Sequence, residues 1–348
     1  MKKGLAFLLM GVMALASVGC GKKAGSSPQE KPRAVITLGA YTVPKEAYQK
    51  EILPLFAKKW KALSGTEVSF RESYLASGAQ SRAILSGFEA DVAALSVPED
   101  VARLEKNGLI QPGWNGAPRR GIVTRSVVVI VTRPGNPKGI KGWKDLTRAD
   151  VEVLYPSPKT SGGAMWIVDA IYGAGLKMAE QETGKADPAY ARKFLKDVQR
   201  RVKVMDKSGR ASVTTFENGV GDVLLTYENE ALLRQMEKKD FPFIVPDATM
   251  LIENPAAIVD KNVDRHNNRE VVKAFLDFLW TPEAQRAYAR YGFRPVDPEV
   301  EKEFASKFVV PSQLFDFNYF GGEEALSKLL YGEKGVWTQV LEELSHEE

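Results

Sequence analysis

One short stretch limits the possible folds of this chain more than any other: PSPKTSGGAMW, residues 156–166. The run VEVLYP (151–156) leads into it and reads as a strand. The apolar run AMWIVDAIYGAG (164–175) leaves it and reads as a helix. A strand, a small hydroxyl-and-glycine turn and a helix form a corner that holds anions, because the first amides of a helix have no internal partners and carry the positive end of its dipole. Gly162 and Gly163 have no Cβ, so a ligand can approach the backbone closely. Ser161 either caps the helix or donates its hydroxyl to the anion.

A second corner of this kind lies earlier. In TEVSFRESYLASGAQSRAILSGFEADVAALSV (66–97), the strand end VSF precedes Ser77 and Gly78. A helix with Ile84, Leu85 and Phe88 on one face follows, and DVAALSV (91–97) reads as a buried strand. Two such corners facing one cleft would give a site made of donors alone, which suits a fully ionised oxyanion.

The remaining pattern alternates strands and helices. AVITLGAY (34–41) reads as a first strand, and a helix over 45–63 carries Ile52, Leu55, Phe56 and Trp60 on one face. RSVVVIVTR (125–133) reads as a strand buried on both faces. A helical region covers 188–201, GDVLLTYENEALL (221–233) is a strand then a helix, and AAIVDKN (256–262) is a further strand. REVVKAFLDFLWTPEAQRAYARYGF (269–293) is two helices broken at Pro282. The fold class is therefore α/β with mostly parallel sheets, whose ligands sit at the carboxyl ends of strands.

Composition narrows the class. The chain has 348 residues, enough for two domains, with a net charge of only +4 and its basic and acidic residues mixed, so no nucleic-acid surface is expected. Lys2 and Lys3 precede the apolar run 5–18, then Gly19 and Cys20, which reads as a secretory signal too short to span a membrane comfortably. With Leu15 upstream and Gly19 adjacent, this segment resembles a bacterial lipobox, although Ser17 stands where that motif carries Leu. Cys20, the one cysteine, is thus the expected lipid site, and GKKAGSSPQEKPR (21–33) is a tether.

Catalytic sets are missing from the sequence. The two histidines, His266 and His346, read as solvent-exposed, so a Ser-His-Asp triad has little to draw on. No H-E-x-x-H, C-x-x-C or Walker phosphate loop is present, so neither metal nor cofactor is expected. Glu228 and Glu230 could be a general acid–base pair, but they read more simply as alternation at a strand end or helix start. An exported α/β chain of this kind points to a binding protein, not an enzyme.

Six segments taken together resemble the periplasmic sulfate-binding proteins of bacterial ABC importers, a group that includes thiosulfate binders. They are SGAQ (77–80), GFEADVAALSV (87–97), GNPKGIKGWKDL (135–146), PKTSGGAMW (158–166), GDVLLTYENEALL (221–233) and PEAQRAYARYGFRP (282–295). The resemblance implies a two-lobed, type II periplasmic binding protein hinged by crossing strands, with lobe 1 from 34–125 and 255–348 and lobe 2 from 126–254. It implies anion contacts from Thr42, Ser77, Ser161, Gly162, Gly163, Gly209, Arg210 and Tyr227. Two of these depart from the pattern: Thr42 replaces the Asp of Tyr-Asp-Pro, and Tyr227 replaces a Trp whose indole N–H meets the anion. Tyr227 retains an O–H to donate. Arg210 either anchors a surface loop or orders the binding loop by hydrogen bonds. It also implies sulfate or a related oxyanion as ligand, ABC permease subunits as partners, a monomeric state and a periplasmic or extracytoplasmic place, held to the membrane by the lipid alone. A different oxyanion (molybdate, tungstate, a sulfonate or phosphonate) and an exported ester hydrolase are the alternatives. Sulfate needs donors only, whereas monohydrogen phosphate brings a proton that costs roughly 1–3 kcal/mol if left unpaired.

Overall fold

The computed structural model describes residues 33–347. The signal 1–20, Cys20 and the tether up to residue 32 lie outside the described residues. Arg33, assigned to the tether above, instead opens the first strand.

The strands are β1 (Arg33–Tyr41), β2 (Glu67–Leu75), β3 (Val92–Ala94), β4 (Ile122–Thr132), β5 (Val153–Leu154), β6 (Val202–Val204), β7 (Val223–Tyr227), β8 (Phe243–Ile244), β9 (Ala248–Ile258) and β10 (Gln313–Phe315). Their main path runs β2-β1-β3-β9-β4-β7-β5-β6. At one end β1 pairs in parallel with β2 and β3. At the other end β5 pairs in parallel with β6 and β7. Two long antiparallel strands join these half-sheets. Residues Ile122 to Val127 of β4 pair with Pro255 to Leu251 of β9. Beyond that stretch β4 continues along β7, from Val128↔Tyr227 to Thr132↔Val223. In the opposite direction β9 continues along β3, from Ala256↔Ala94 to Ile258↔Val92.

The side-chain period of a strand explains why the Val127 to Val131 stretch of β4 must be apolar at every position. Val128 and Ile130 enter the main core, while Val127, Val129 and Val131 enter a second core with Leu154, Phe216 and Leu224. The predicted strand at 256–262 is shifted: β9 begins at Ala248, and a helix already starts at Asp260. Polar Glu253 and Asn254 interrupt the apolar run in sequence, but both are buried and paired inside β9. Glu253 binds Arg125, and Asn254 binds Thr124 and the Ser96 carbonyl.

The helices follow their sequence signals. Lys45 to Ser64 is helical with a π turn over Tyr48–Ile52, and Gly65 at φ 72° ends it as a left-handed cap. The pair around Pro282 appears as Arg269–Leu279 and Pro282–Arg290, with Thr281 capping the second. Phe56, Phe70 and Phe275 pack edge-on or tilted against one another at the first half-sheet, with the Phe56 and Phe275 ring centroids 5.1 Å apart.

Beyond Gln313 the chain packs on the second half-sheet. Phe317 lies 4.9 Å from Trp166, and a Cβ at Gly173 would lie 2.4 Å from Phe315, so only glycine lets this segment lie down there. The last helix, Val336–Glu347, pairs Glu343 with Lys196 at 2.9 Å and with Arg192. Among the described residues, no helix is long and apolar enough to cross a membrane.

Candidate anion-binding site

The two serine-glycine corners meet. Ser77 starts the helix Ser77–Leu85, directly after the carboxyl end of β2, and Ser161 is the N-cap of Gly162–Thr183. A Cβ on Gly78 would lie 3.2 Å from the Thr160 carbonyl oxygen, so the first corner touches the loop that forms the second. A third helix, Gly209–Glu217, begins nearby: a Cβ on Gly209 would lie 3.6 Å from Val43, the residue after Thr42. Three helices thus direct their first amides, which lack intrahelical acceptors, into one region. Thr42 is half-buried at the end of β1, and Tyr41 before it packs 6.2 Å from the Tyr227 ring.

Ser96 lies between the corners, and sequence reasoning missed it. It is 1% exposed, and its backbone and side chain are fully engaged. Its amide donates to Ser77 Oγ at 2.9 Å. Its carbonyl accepts from Trp166 Nε1 at 2.9 Å and from Asn254 Nδ2 at 2.8 Å. Its hydroxyl bonds the Tyr227 hydroxyl at 2.6 Å. Only its place at the end of a buried apolar strand, where ligands of parallel sheets gather, could have drawn it out of the sequence.

The predicted residues divide by what they have left to offer. Ser77 Oγ donates to Asp100 Oδ2 at 2.6 Å, so its proton is committed and the uncommitted donor at this corner is its backbone. Ser161 makes no capping bond through its side chain, which leaves that hydroxyl available. Gly162 and Gly163 are needed for space. A Cβ on Gly162 would lie 2.9 Å from Ser96 Oγ, and one on Gly163 would lie 2.9 Å from Tyr227 Cε2 and 3.4 Å from both the Tyr227 and Ser161 hydroxyl oxygens. Tyr227, at the end of β7, is 1% exposed, and burial pushes its hydroxyl well above the ordinary tyrosine value. It is therefore a neutral O–H at any ordinary pH.

Arg210 is not a free counter-charge for an anion. It binds Glu46 at 2.6 and 2.8 Å, Glu230 at 3.0 Å and the Val43 carbonyl at 3.4 Å. Burial opposes its charge, but Glu230 and Glu46 outweigh that and hold it firmly protonated. Glu230 is fully buried; burial raises its carboxyl while Arg210 and Arg234 pull it back. Of the two roles weighed for Arg210, ordering the loop by hydrogen bonds matches these contacts. Glu228 is likewise committed, to Arg294 at 2.7 and 3.0 Å, so neither Glu228 nor Glu230 is placed as a free acid or base. His266 is a correction: it is half-buried, and its Nδ1 lies 2.7 Å from Asp91, which also accepts from the Thr37 amide. The expected exposure fails because its polar sequence neighbours hide a contact with a distant strand. Among the described residues, no group of His, Cys, Asp and Glu has the arrangement of a metal site.

A family profile described as bacterial extracellular solute-binding protein matches residues 36–294. The sulfate-binding protein of Synechococcus elongatus is 39% identical over 94% of this chain and 92% of its own length. The thiosulfate-binding protein of Pseudomonas aeruginosa is 33% identical over 86% of this chain and 90% of its own. Among solved structures, the sulfate-binding protein SubI from Mycobacterium tuberculosis is 36% identical with a TM-score of 0.78, covering 86% of this chain and 99% of that one. The likeness runs through both half-sheets, so the two-lobed α/β fold expected from the sequence is the fold of this chain.

Proposed function

The chain belongs to the bacterial extracellular solute-binding proteins, and we propose that within this family it is the sulfate or thiosulfate receptor of an ABC importer. One observation carries the reading: three helix N-termini, at Ser77, Gly162 and Gly209, converge where the local cation, Arg210, is already neutralised by Glu46 and Glu230. Such a site holds a dianion by amide and hydroxyl donors, not by a counter-charge. In this reading Thr42, Ser77, Ser161, Gly162, Gly163, Gly209 and Tyr227 surround the anion, and Arg210 fixes the loop that starts at Gly209.

The lobes of the proposed receptor divide at the crossing strands, with 34–125 and the chain from 255 onward in lobe 1 and 126–254 in lobe 2. The packing of 313–347 on the Gly162–Thr183 and Pro188–Gln199 helices favours counting that last segment with lobe 2. Closure of the lobes on the anion would be the signal read by the permease. The receptor acts outside the cytoplasm as a monomer, tethered by lipid on Cys20. No reaction is assigned: its relatives are binding proteins.

Thr42 and Tyr227 favour a second reading, the same receptor fold with another oxyanion as cargo. Calorimetric titration of anion-stripped protein with sulfate, thiosulfate and molybdate separates the two. Tight binding of sulfate or thiosulfate supports the first. Heat with molybdate alone supports the second. Silence toward all three removes both.

A further inference from the structure

The contact between Ser96 and Tyr227 changes the hydrogen-bond arithmetic of the site. An indole N–H donates one proton and accepts nothing. Two hydroxyls in contact hold two protons, of which one is used between them. The pair joins the end of β3 to the end of β7. It borders the glycine turn from both sides: a Cβ on Gly162 would meet Ser96 Oγ at 2.9 Å, and one on Gly163 would meet the Tyr227 hydroxyl at 3.4 Å. The amide and carbonyl of Ser96 are held by Ser77, Trp166 and Asn254, so its hydroxyl is fixed in place while its proton can turn.

We propose that Ser96 is a specificity-determining positioning residue of this site: through Tyr227 it gives the pocket a reversible donor–acceptor, so that the pocket admits a tetrahedral oxyanion carrying a proton as well as a fully ionised one. The proposal rests on the oxyanion reading above. With sulfate, Ser96 donates to Tyr227 and Tyr227 donates to the anion. With monohydrogen phosphate, Tyr227 donates to Ser96, and the phosphate O–H donates to the lone pair that Tyr227 then presents. No covalent bond forms or breaks; only the two hydroxyl rotors turn. Without Ser96 the Tyr227 hydroxyl loses the partner that takes its proton, so it donates to the anion and no longer turns a free lone pair toward the phosphate proton.

The test is calorimetric titration of the full chain with sulfate and inorganic phosphate at pH 8, where phosphate is mainly the monohydrogen form. The variants are Ser96→Ala, Tyr227→Phe and the double substitution, each checked by thermal melting. We expect the native chain to bind both anions. Ser96→Ala should keep sulfate affinity within about threefold and raise the sulfate-over-phosphate ratio about tenfold or more. In the Tyr227→Phe background, Ser96→Ala should leave the ratio unchanged, because its route to the anion is gone. A general loss of packing would lower both affinities together in both backgrounds. A native chain that binds sulfate but not millimolar phosphate overturns the proposal, as does an unchanged ratio in Ser96→Ala. Binding of neither anion also overturns the proposal, and silence toward thiosulfate and molybdate as well would remove the oxyanion reading itself. If Ser96→Ala does not fold, Tyr227→Phe carries the test: phosphate lost about tenfold beyond sulfate supports the proposal, and equal losses overturn it.

Discussion

Arg210 grips Glu46 with both terminal nitrogens, at 2.6 and 2.8 Å. Glu46 follows β1, whereas Arg210 lies at the start of a helix of the opposite half-sheet, so the pair ties the two half-sheets together beside the proposed anion site. The same guanidinium is the closest partner of the fully buried Glu230, at 3.0 Å.

These two halves of the clasp should separate experimentally. Glu46→Gln keeps the shape and removes one charge, so anion affinity should fall about three- to tenfold with little change in unfolding. Arg210→Met leaves Glu230 buried with a weaker partner and should cost about 3–5 kcal/mol in urea unfolding. Equal stability losses in both variants would show that the pair is structural only.

Gly163→Ala places a Cβ 2.9 Å from the Tyr227 ring. Affinity should drop about tenfold or more as Tyr227 is displaced, and Gly162→Val should be worse because its larger side chain meets Ser96. Titration with sulfate or thiosulfate measures both; native affinity in Gly163→Ala would place the anion elsewhere.

Two serines, two outcomes. Ser77→Ala removes the hydroxyl that links the Ser96 amide to Asp100 and should cost about 1–3 kcal/mol of stability. Ser161→Ala breaks no capping bond, so stability should hold while affinity falls about tenfold. A chemical-denaturation curve beside a titration for each variant checks the contrast.

Glu323 should make stability depend on pH. Burial, with the nearby Glu99 charge, raises its carboxyl to about 7. Its folded value lies above its unfolded one, so the contribution is fully present below the ordinary carboxyl value and is lost as pH rises through about 7. Glu323→Gln should therefore raise the melting temperature at pH 8 by about 1–3 °C and leave it nearly unchanged at pH 4. An equal shift at both pH values would contradict this.

His266 works in the same sense through a different cause. Asp91 raises its value, burial opposes, and Glu89 adds to the rise. Its stabilisation is complete below the ordinary histidine range and fades as pH climbs through the raised value. His266→Gln should flatten the melting profile between about pH 6 and 8; an unchanged slope would show that the contact with Asp91 does not couple to folding.

Periodicity made much of the fold legible. The helices around Pro282, the buried β4 and the starts at Ser77 and Gly162 follow from apolar spacing, proline and glycine, which act locally. Local signals also marked Ser161 and its glycines as the start of a helix. They could not supply partners chosen across the sheet. Ser96 gains its place from Tyr227, Trp166 and Asn254, all far along the chain. His266 looked exposed because Asp91 is remote in sequence, and the start of β9 was hidden because Glu253 and Asn254 find buried partners only once β4 and the Ser96 loop are in place.

The crossing of β4 and β9 also sets an order of assembly. Val92 in β3 pairs with Ile258 in β9, so the edge of the first half-sheet stays open until nearly three-quarters of the chain has been synthesised. Until then Val92, Ala93 and Ala94, all buried in the finished fold, have no neighbouring strand on that side. Closing so long a loop delays the nucleus. The first half of the chain therefore cannot lock on its own while it is being made, and the two half-sheets close together, late, on the arrival of β9.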